Sequence, residues 1–361
     1  MKTFDEIFID QTKYGVKVQT SEYGKKGKYI IIDQGKSQIA GYTDREEGVF
    51  KEVPALVFGD HTKAIKYVDK PFFLGADGVK VLRSKDSDAN YKYLYYALKN
   101  VKIPNTGYNR HFKWLKEIQI NYPNKNKQDI IVRILDKVSD IMQKREAELS
   151  TLDGSIKSRF IEMFGNETEF DKWPCCTVGD VADVYVGVVI KPTQYYADKG
   201  IPAFRSLNIG EMYVKDSDWV YFTEEGNQKN QKSVVHKNDV LVIRSGAPGT
   251  ACVVTEKYDG YNAVDIIIAH PDSSIVNPIF LAAFTNMPHG MKQIRERTGG
   301  AAQQHFNVGG YKALKLIKPP LNLQEEFAAF VAQTDKSRVE IQKSLDETQL
   351  LFDSLMQKYF G

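Results

Sequence analysis

The stretch QDIIVRILDKVSDIMQKREAELSTLDGSIKSRFIEMFG, residues 128–165, has a counterpart in QEEFAAFVAQTDKSRVEIQKSLDETQLLFDSLMQKYFG, residues 324–361. The two align without a gap at an offset of 196 residues, which is 28 heptads, so they share one heptad phase. Each follows a proline-led approach, Tyr122-Pro123-Asn124 in one case and Pro319-Pro320-Leu321 in the other, and each stops at Phe-Gly. Phe327, Val331, Thr334, Arg338, Ile341, Leu345, Thr348, Phe352, Leu355 and Tyr359 step 4-3-4-3, the spacing of a coiled-coil seam. The matching positions of the first copy are Ile131, Leu135, Val138, Met142, Arg145, Leu149, Leu152, Ile156, Arg159 and Met163. Neither copy contains proline; only Gly154 interrupts the pattern, off the seam, at a cost of about 1 kcal/mol relative to alanine. From Lys127 to Met163 such a helix extends roughly 55 Å. Arginine and threonine occupy several seam positions, so neither helix is stable alone. The simplest burial for both is against each other, antiparallel, with a globule at each end. A helical hairpin packed on one globule is the alternative, but seams this long outrun one domain face.

The segments outside the helices repeat more faintly. Thr20 to Gly27 corresponds to Thr193 to Gly200, and His111-Phe112 to His305-Phe306. The second globule therefore has extra length, expected in loops around Lys215–Gln231 and Gly290–Gln304. Strand-like runs are Tyr29–Ile32, Ala55–Phe58, Val79–Leu82, Val240–Ile243 and Asp265–Ala269; helical runs follow at Tyr91–Lys99 and Ile279–Asn286. The fold class is α+β, two mixed α/β globules separated by two long helices in an internal repeat. The expected boundaries are 1–122, 123–165, 166–318 and 319–361.

Length and composition agree with two cores: 361 residues, 42% apolar, with no run long enough to span a bilayer and no signal-peptide core at Met1–Glu6. The three cysteines, Cys175, Cys176 and Cys252, offer neither a disulfide framework nor a C-x-x-C knuckle, pointing to a reducing cytoplasm. The net charge is only +3, but residues 1–122 carry 21 Lys/Arg against 15 Asp/Glu, while residues 123–165 carry 8 against 7. The surplus sits on the first globule, as a phosphate-facing surface requires and as an ordinary lysine-rich surface also allows.

Catalytic signatures are missing. There is no phosphate-binding G-x-x-x-x-G-K-[ST] loop, no G-x-G-x-x-G turn and no G-x-S-x-G elbow. Lys318-Pro319-Pro320-Leu321 lacks the amide and the aromatic ring of a DNA-methyltransferase tetrapeptide, and no two histidines have metal-ligand spacing. Glycine-rich loops at strand ends are present instead: Phe58-Gly59-Asp60-His61-Thr62-Lys63, Leu74-Gly75-Ala76-Asp77-Gly78-Val79 and Ile243-Arg244-Ser245-Gly246-Ala247-Pro248-Gly249-Thr250. Small residues, backbone donors and cations at a strand edge suit close approach to a sugar-phosphate backbone. His61 beside Asp60 is equally readable as a buried hydrogen-bonded pair fixing its loop, and Asp77 between glycines is more often a turn residue than a base reader; an enzyme using Asp60 and His61 for hydrolysis is a rival reading.

Side chains able to reach base edges recur in both halves. The first has Lys36, Ser37 and Gln38, then Tyr42, Thr43 and Arg45, with His61, Thr62, Lys63, Asn109, Arg110 and His111; the second has Arg205, Ser206 and Asn208, then Arg244, Ser245 and Gly246, with Gln303, Gln304 and His305. These are the candidate DNA-binding residues. No catalytic or metal-binding residue is expected.

The layout resembles the specificity subunit of type I restriction-modification systems over nearly the whole chain. The strings carrying the resemblance are Ile32-Asp33-Gln34-Gly35, Gly41-Tyr42-Thr43-Asp44, Phe58 to Thr62, Gly75 to Lys80, Val178-Gly179-Asp180, Arg244-Ser245-Gly246 and the Pro-Pro-Leu approach to Gln324. It implies two target recognition domains, each reading half of an asymmetric bipartite site in double-stranded DNA, held apart by antiparallel coiled-coil helices. It also implies that the helices dock two copies of a modification (methyltransferase) subunit that methylates adenine, and that a motor-nuclease subunit joins for restriction. S-adenosylmethionine and ATP belong on those partners, with no cofactor on this chain. The half-sites then lie between one and two turns of DNA apart, about 34–36 Å per turn. A pseudo-symmetric scaffold whose globules bind proteins is the other reading. Two strings depart from the pattern: the first globule starts almost at Met1 without the leader that Val178-Gly179-Asp180 implies for the second, and Asn121-Tyr122-Pro123-Asn124 is degenerate, implying asymmetric docking of the two partner copies.

Overall fold

The computed structural model describes residues 1–361 apart from Ala76, Asn105, Thr106, Tyr108, 167–171 and 299–304. The chain divides into two compact units, Met1–Glu146 with Lys343–Gly361, and Ala147–Gln342.

In the first unit the strands are β1 (Phe8–Asp10), β2 (Tyr29–Ile32), β3 (Gly41–Thr43), β4 (Ala55–Gly59), β5 (Ile65–Val68), β6 (Phe72–Leu74) and β7 (Val79–Ser84), followed by helix α1 (Tyr91–Asn100). One antiparallel sheet has the order β1-β7-β4-β5; a second has β3-β2-β6, with β2 parallel to β6. Every residue of β4 is buried, which is why its sequence is a continuous apolar run instead of an alternation. Helix α1 starts at Asn90, whose side chain accepts from the Lys92 and Tyr93 amides, and it buries Tyr93, Leu94, Ala97 and Leu98.

In the second unit the strands are β8 (Ala182–Val186), β9 (Tyr196–Ala197), β10 (Ile201–Phe204), β11 (Val220–Phe222), β12 (Val240–Ile243), β13 (Ala251–Val253), β14 (Asn262–Ala263) and β15 (Ile266–Pro271). The sheets run β8-β15-β12-β13 and β9-β11-β10-β14, with β10 parallel to β14. This is the order of the first unit with one edge strand added. The faint sequence repeat is therefore a repeat of topology. The five strand-like runs and both short helical runs match observed elements within two residues at each end.

Two stretches expected as loops are in part regular. Lys215–Gln231 contains β11 and a short helix at Glu224–Lys229, and Gly290–Thr298 belongs to a helix, Pro288–Thr298. Local polarity hid both; the helix is held by the tertiary contacts of Ile294 and Met291 with the core. Residues 299–304 lie outside the described residues. Thr3 and Glu6 form a capping box in the first unit as Thr177 and Asp180 do in the second. Glutamate and aspartate satisfy the same amide, so the strings differ while the structure recurs.

The long helices are α2 (Lys125–Phe164) and α5 (Leu321–Phe360); α3 (Pro278–Asn286) and α4 (Pro288–Thr298) precede α5. In the first unit Ile131, Val132 and Leu135 of α2 pack with Met356 and Phe352 of α5. In the second, Phe160 and Phe164 of α2 pack with Phe327 and Val331 of α5. The beginning of each helix meets the end of the other, so the pairing is antiparallel. None of the twenty seam positions is exposed. The degenerate approach to α2 also folds as its counterpart does. Gln128 is buried, accepts from the Asn90 amide at 2.9 Å and donates to the Pro123 carbonyl at 2.9 Å; Gln324 does the same with Asn277 and Pro319 at 2.9 and 2.8 Å.

The arginines on the seam have partners. Arg159 pairs with Glu162 and Glu326 at 3.0 and 2.8 Å. Arg338 meets Asp153 and lies 5.1 Å from the centre of the Tyr213 ring. Burial, opposed by Arg338 and reinforced by Asp153, raises the Asp335 carboxyl to about 6. Because the folded value lies above the unfolded one, the folded state holds the proton longer. Stability is then highest below about pH 4, falls as pH rises to about 6 and is flat beyond. The side chain is 41% exposed, so solvent screening leaves an effect of about 1 kcal/mol. Asp335→Asn is expected to raise the urea midpoint at pH 7.5 and leave it unchanged near pH 4. A lower midpoint at pH 7.5 would refute this account of the cluster.

Candidate nucleic-acid interface

The loops singled out in sequence converge at Asp60 in the first unit. The turn after β4 closes through hydrogen bonds from the Gly59 amide to Ala64 and from the Lys63 amide to Gly59, with Lys63 at positive φ. The Asp60 amide donates to the Gly78 carbonyl at 2.7 Å, which fastens the Gly75–Gly78 loop. The Asp60 carboxylate accepts from the Phe112 amide at 2.7 Å, and its carbonyl accepts from the His111 amide at 2.8 Å. Asp33-Gln34 joins from β2: the Gln34 carbonyl accepts from the Thr62 hydroxyl, and its side chain accepts from the His61 amide at 3.3 Å. The approach is close. A Cβ on Gly59 would fall 2.9 Å from the Gln34 carbonyl, and one on Gly75 would fall 2.9 Å from the Asp33 Cα.

These bonds sort the candidates. Lys36, Ser37, Gln38, Thr62, Asn109 and Arg110 are exposed around the Asp60 hub, and His61 and Lys63 are half-buried beside them. His111 is 1% exposed; its Nδ1 lies 3.0 Å from the Asp60 carbonyl, an acceptor only, so Nδ1 carries the proton. The His111 side chain thus holds the hub and does not face solvent. Tyr42, Thr43 and Arg45 are not gathered with the others. Thr43 pairs opposite Tyr29, at the far end of β2 from Asp33, and Arg45 follows it. The Asp60 Oδ1 accepts from the Phe112 amide, which gives Asp60 a structural task at the hub.

The second unit repeats the convergence with different chemistry. The Val264 amide donates to Phe204 as the Gly75 amide donates to Ile32, both at 2.8 Å. The hub is now Arg244, which donates to Asp265 at 2.6 Å and to the Phe306 carbonyl at 3.1 Å, and accepts at its own carbonyl from the Phe306 amide at 3.0 Å. Its side chain is 15% exposed, so its guanidinium locks the loop. Ser245 Oγ lies 2.8 Å from His305 Nδ1, and Gly246 and His305 are the exposed members of the set. Gly246 has φ +85°, a conformation a side chain resists. Arg205 donates to the Asp218 carbonyl, and Ser206 is half-buried in the same turn. Asn208, fully buried, accepts from the Arg205 amide and donates to the Ser217 carbonyl at 2.7 Å, so it shapes that turn. Gln303 and Gln304 lie outside the described residues.

Sequence reading missed Lys66. It is 3% exposed and donates to the Asp33 carbonyl at 2.8 Å; burial lowers its pKa, opposed by Asp33. The signal was available: in Ile65-Lys66-Tyr67-Val68 the alternation puts Lys66 on the same inward face as Val68.

A family model, the type I restriction modification DNA specificity domain, matches residues 2–151 and 171–348. The chain belongs to that family. Among members of the specificity family, it is 26% identical over 250 residues to the EcoR124I/EcoR124II specificity subunit of Escherichia coli, covering 65% of this chain and 61% of that subunit. The chain thus spans about three fifths of that relative's length. It is 21% identical over 378 residues to a protein of Mycoplasma genitalium named as a type I specificity subunit, covering 99% of this chain and 93% of the relative. Its fold is similar to the crystal structure of a type I system S subunit from M. genitalium, with TM-score 0.62 and 18% identity over 100% of this chain and 95% of that one. A further chain, from a structure of type I system assembly and conformational transition, gives TM-score 0.51 and 14% identity over 100% and 99% of the two chains. Among the described residues no helix is long and apolar enough to cross a membrane, and no three His, Cys, Asp or Glu residues are placed to hold a metal ion.

Proposed function

We propose that this chain is the sequence-specific DNA-binding subunit of a type I restriction-modification complex, acting in the cytoplasm and not itself catalytic. Residues 1–122 and 166–318 are its two target recognition domains, and residues 123–165 and 319–361 its spacer helices. The observation that carries this reading is the repeated convergence. In the first half three strand-end loops and a His-Phe segment meet at Asp60; in the second the Arg244 and Asp265 loops and a His-Phe segment meet at Arg244, and each hub has exposed residues beside backbone amides, as groove and phosphate contacts require. The hubs differ, Asp60 in one half and Arg244 in the other, so the two half-sites differ in sequence and the target is asymmetric.

The exposed candidates contact DNA directly: Lys36, Ser37, Gln38, Thr62, Asn109 and Arg110 in the first half, Gly246 and His305 in the second, with half-buried Ser245 bonded to His305. His111, Asn208 and Arg244 position them. The helices set the distance between half-sites and dock two copies of the modification subunit, which carries S-adenosylmethionine and methylates adenine; ATP-driven restriction belongs to a motor-nuclease partner. Ile141, Val339, Leu350 and Leu351 are exposed on α2 and α5, which supports protein docking along them.

Mapping methylated adenine in cells with and without this chain tests the reading. A bipartite, asymmetric methylated motif that disappears without the chain is expected. An unchanged methylation pattern would overturn the reading.

A further inference from the structure

The first unit contains a groove of about 620 Å³ between the β4–β5 turn and the C-terminal end of α1. Lys36, Lys63, Lys66, Lys99 and Lys102 line it, and no carboxylate does. Some lysines elsewhere are neutralised within the chain, as in Lys125–Asp129, Lys229–Glu225 and Lys237–Glu256. Lys36, Lys99 and Lys102 form no ion pair among the described residues. Lys99, in the last turn of α1, complements the helix dipole there; that explains neither Lys36 nor Lys102.

The second unit shows what this space looks like when structure fills it. Gly249 lies between β12 and β13 as Lys63 lies between β4 and β5. A Cβ on Gly249 would fall 2.7 Å from Met291 and Ile294 of α4, the helix that follows α3. Described residues after α1 form no such helix, and the corresponding space is the lysine-lined groove. Lys36, Gln38 and Lys63 belong both to this groove and to the exposed loops around Asp60.

We propose that the groove, without a counterpart among the described residues of the second unit, is a clamp for the phosphodiester backbone of duplex DNA that anchors the first unit while the Asp60 loops face the base edges. The inference rests on the DNA-binding function proposed above and adds Lys99 and Lys102 as phosphate contacts. A concave surface lined by lysines, with no carboxylate in its lining, suits phosphate contacts, which carry no sequence information. Removing these two lysines should therefore weaken binding uniformly across sequences.

The test is equilibrium binding of the full chain to a random-sequence duplex across a salt series, comparing wild type with Lys99→Gln/Lys102→Gln and Lys99→Arg/Lys102→Arg. Both positions face solvent or the groove, and circular dichroism verifies folding. For the glutamine pair, the slope of log K against log salt should become shallower by about 2, with affinity roughly 10- to 60-fold lower at 0.1 M salt; the arginine pair should keep the wild-type slope. A wild type that binds with normal salt dependence, beside a glutamine pair of equal slope, would overturn the clamp alone. A wild type without salt-dependent DNA binding would overturn the clamp and the proposed function together. Loss of ATP binding in the glutamine pair with the DNA slope unchanged would mark a nucleotide site and also overturn the clamp.

Discussion

Deleting one heptad from each long helix, Ile141–Ala147 in α2 together with Ile341–Glu347 in α5, is expected to shorten the preferred spacer between methylated half-sites by about three base pairs. Seven residues of helix are about 10.5 Å, and B-DNA rises about 3.4 Å per base pair. A whole heptad preserves the seam, because each helix resumes at an equivalent seam position. The helix face turns by only about 20° per heptad, whereas three base pairs turn the duplex by roughly 100°. Methylation should therefore be weakened as well as shifted. Full methylation at the parental spacing would remove the helices as spacers.

The second large effect concerns stability. Phe160 is 1% exposed, stacks on Phe280 at 5.6 Å, and meets Phe164 and Phe327 at 5.0 and 5.5 Å. These four rings join the end of α2, the start of α5 and α3 in one core. Phe160→Ala leaves a cavity that three helices cannot close together, at an expected cost of about 3–5 kcal/mol, read as a lower urea midpoint. Gly154→Ala in the same helix should do the opposite: an added Cβ meets nothing within 4 Å, and the change should stabilise by about 1 kcal/mol. A Phe160→Ala midpoint equal to wild type would mean that this junction is not part of the folding core.

The helices were legible because a 4-3 spacing over ten positions has no competing interpretation. Even so, Phe160 and Phe164, one residue beyond seam positions, bury more deeply than Arg159 and Met163. Their ring contacts with Phe280 of α3 and Phe327 of α5 explain that, and no local pattern contains them. The strand runs were legible from apolar continuity, while their order was not, since β1 pairs with β7 across some 70 residues. The loop clusters were recognised by residue type. Which members face solvent depends on tertiary hydrogen bonds such as His111 to Asp60 and Asn208 to Ser217. A histidine or asparagine in a polar loop reads the same in sequence whether it contacts a ligand or holds its neighbour.

We propose that each half of the chain reads its own half-site. The most direct test is methylated-adenine mapping in cells whose only copy of the chain carries Ser245→Ala and His305→Ala, the outermost pair of the second unit's hub. The expected result is a motif relaxed or altered in one half and unchanged in the other. A motif unchanged in both halves, or altered equally in both, would contradict it.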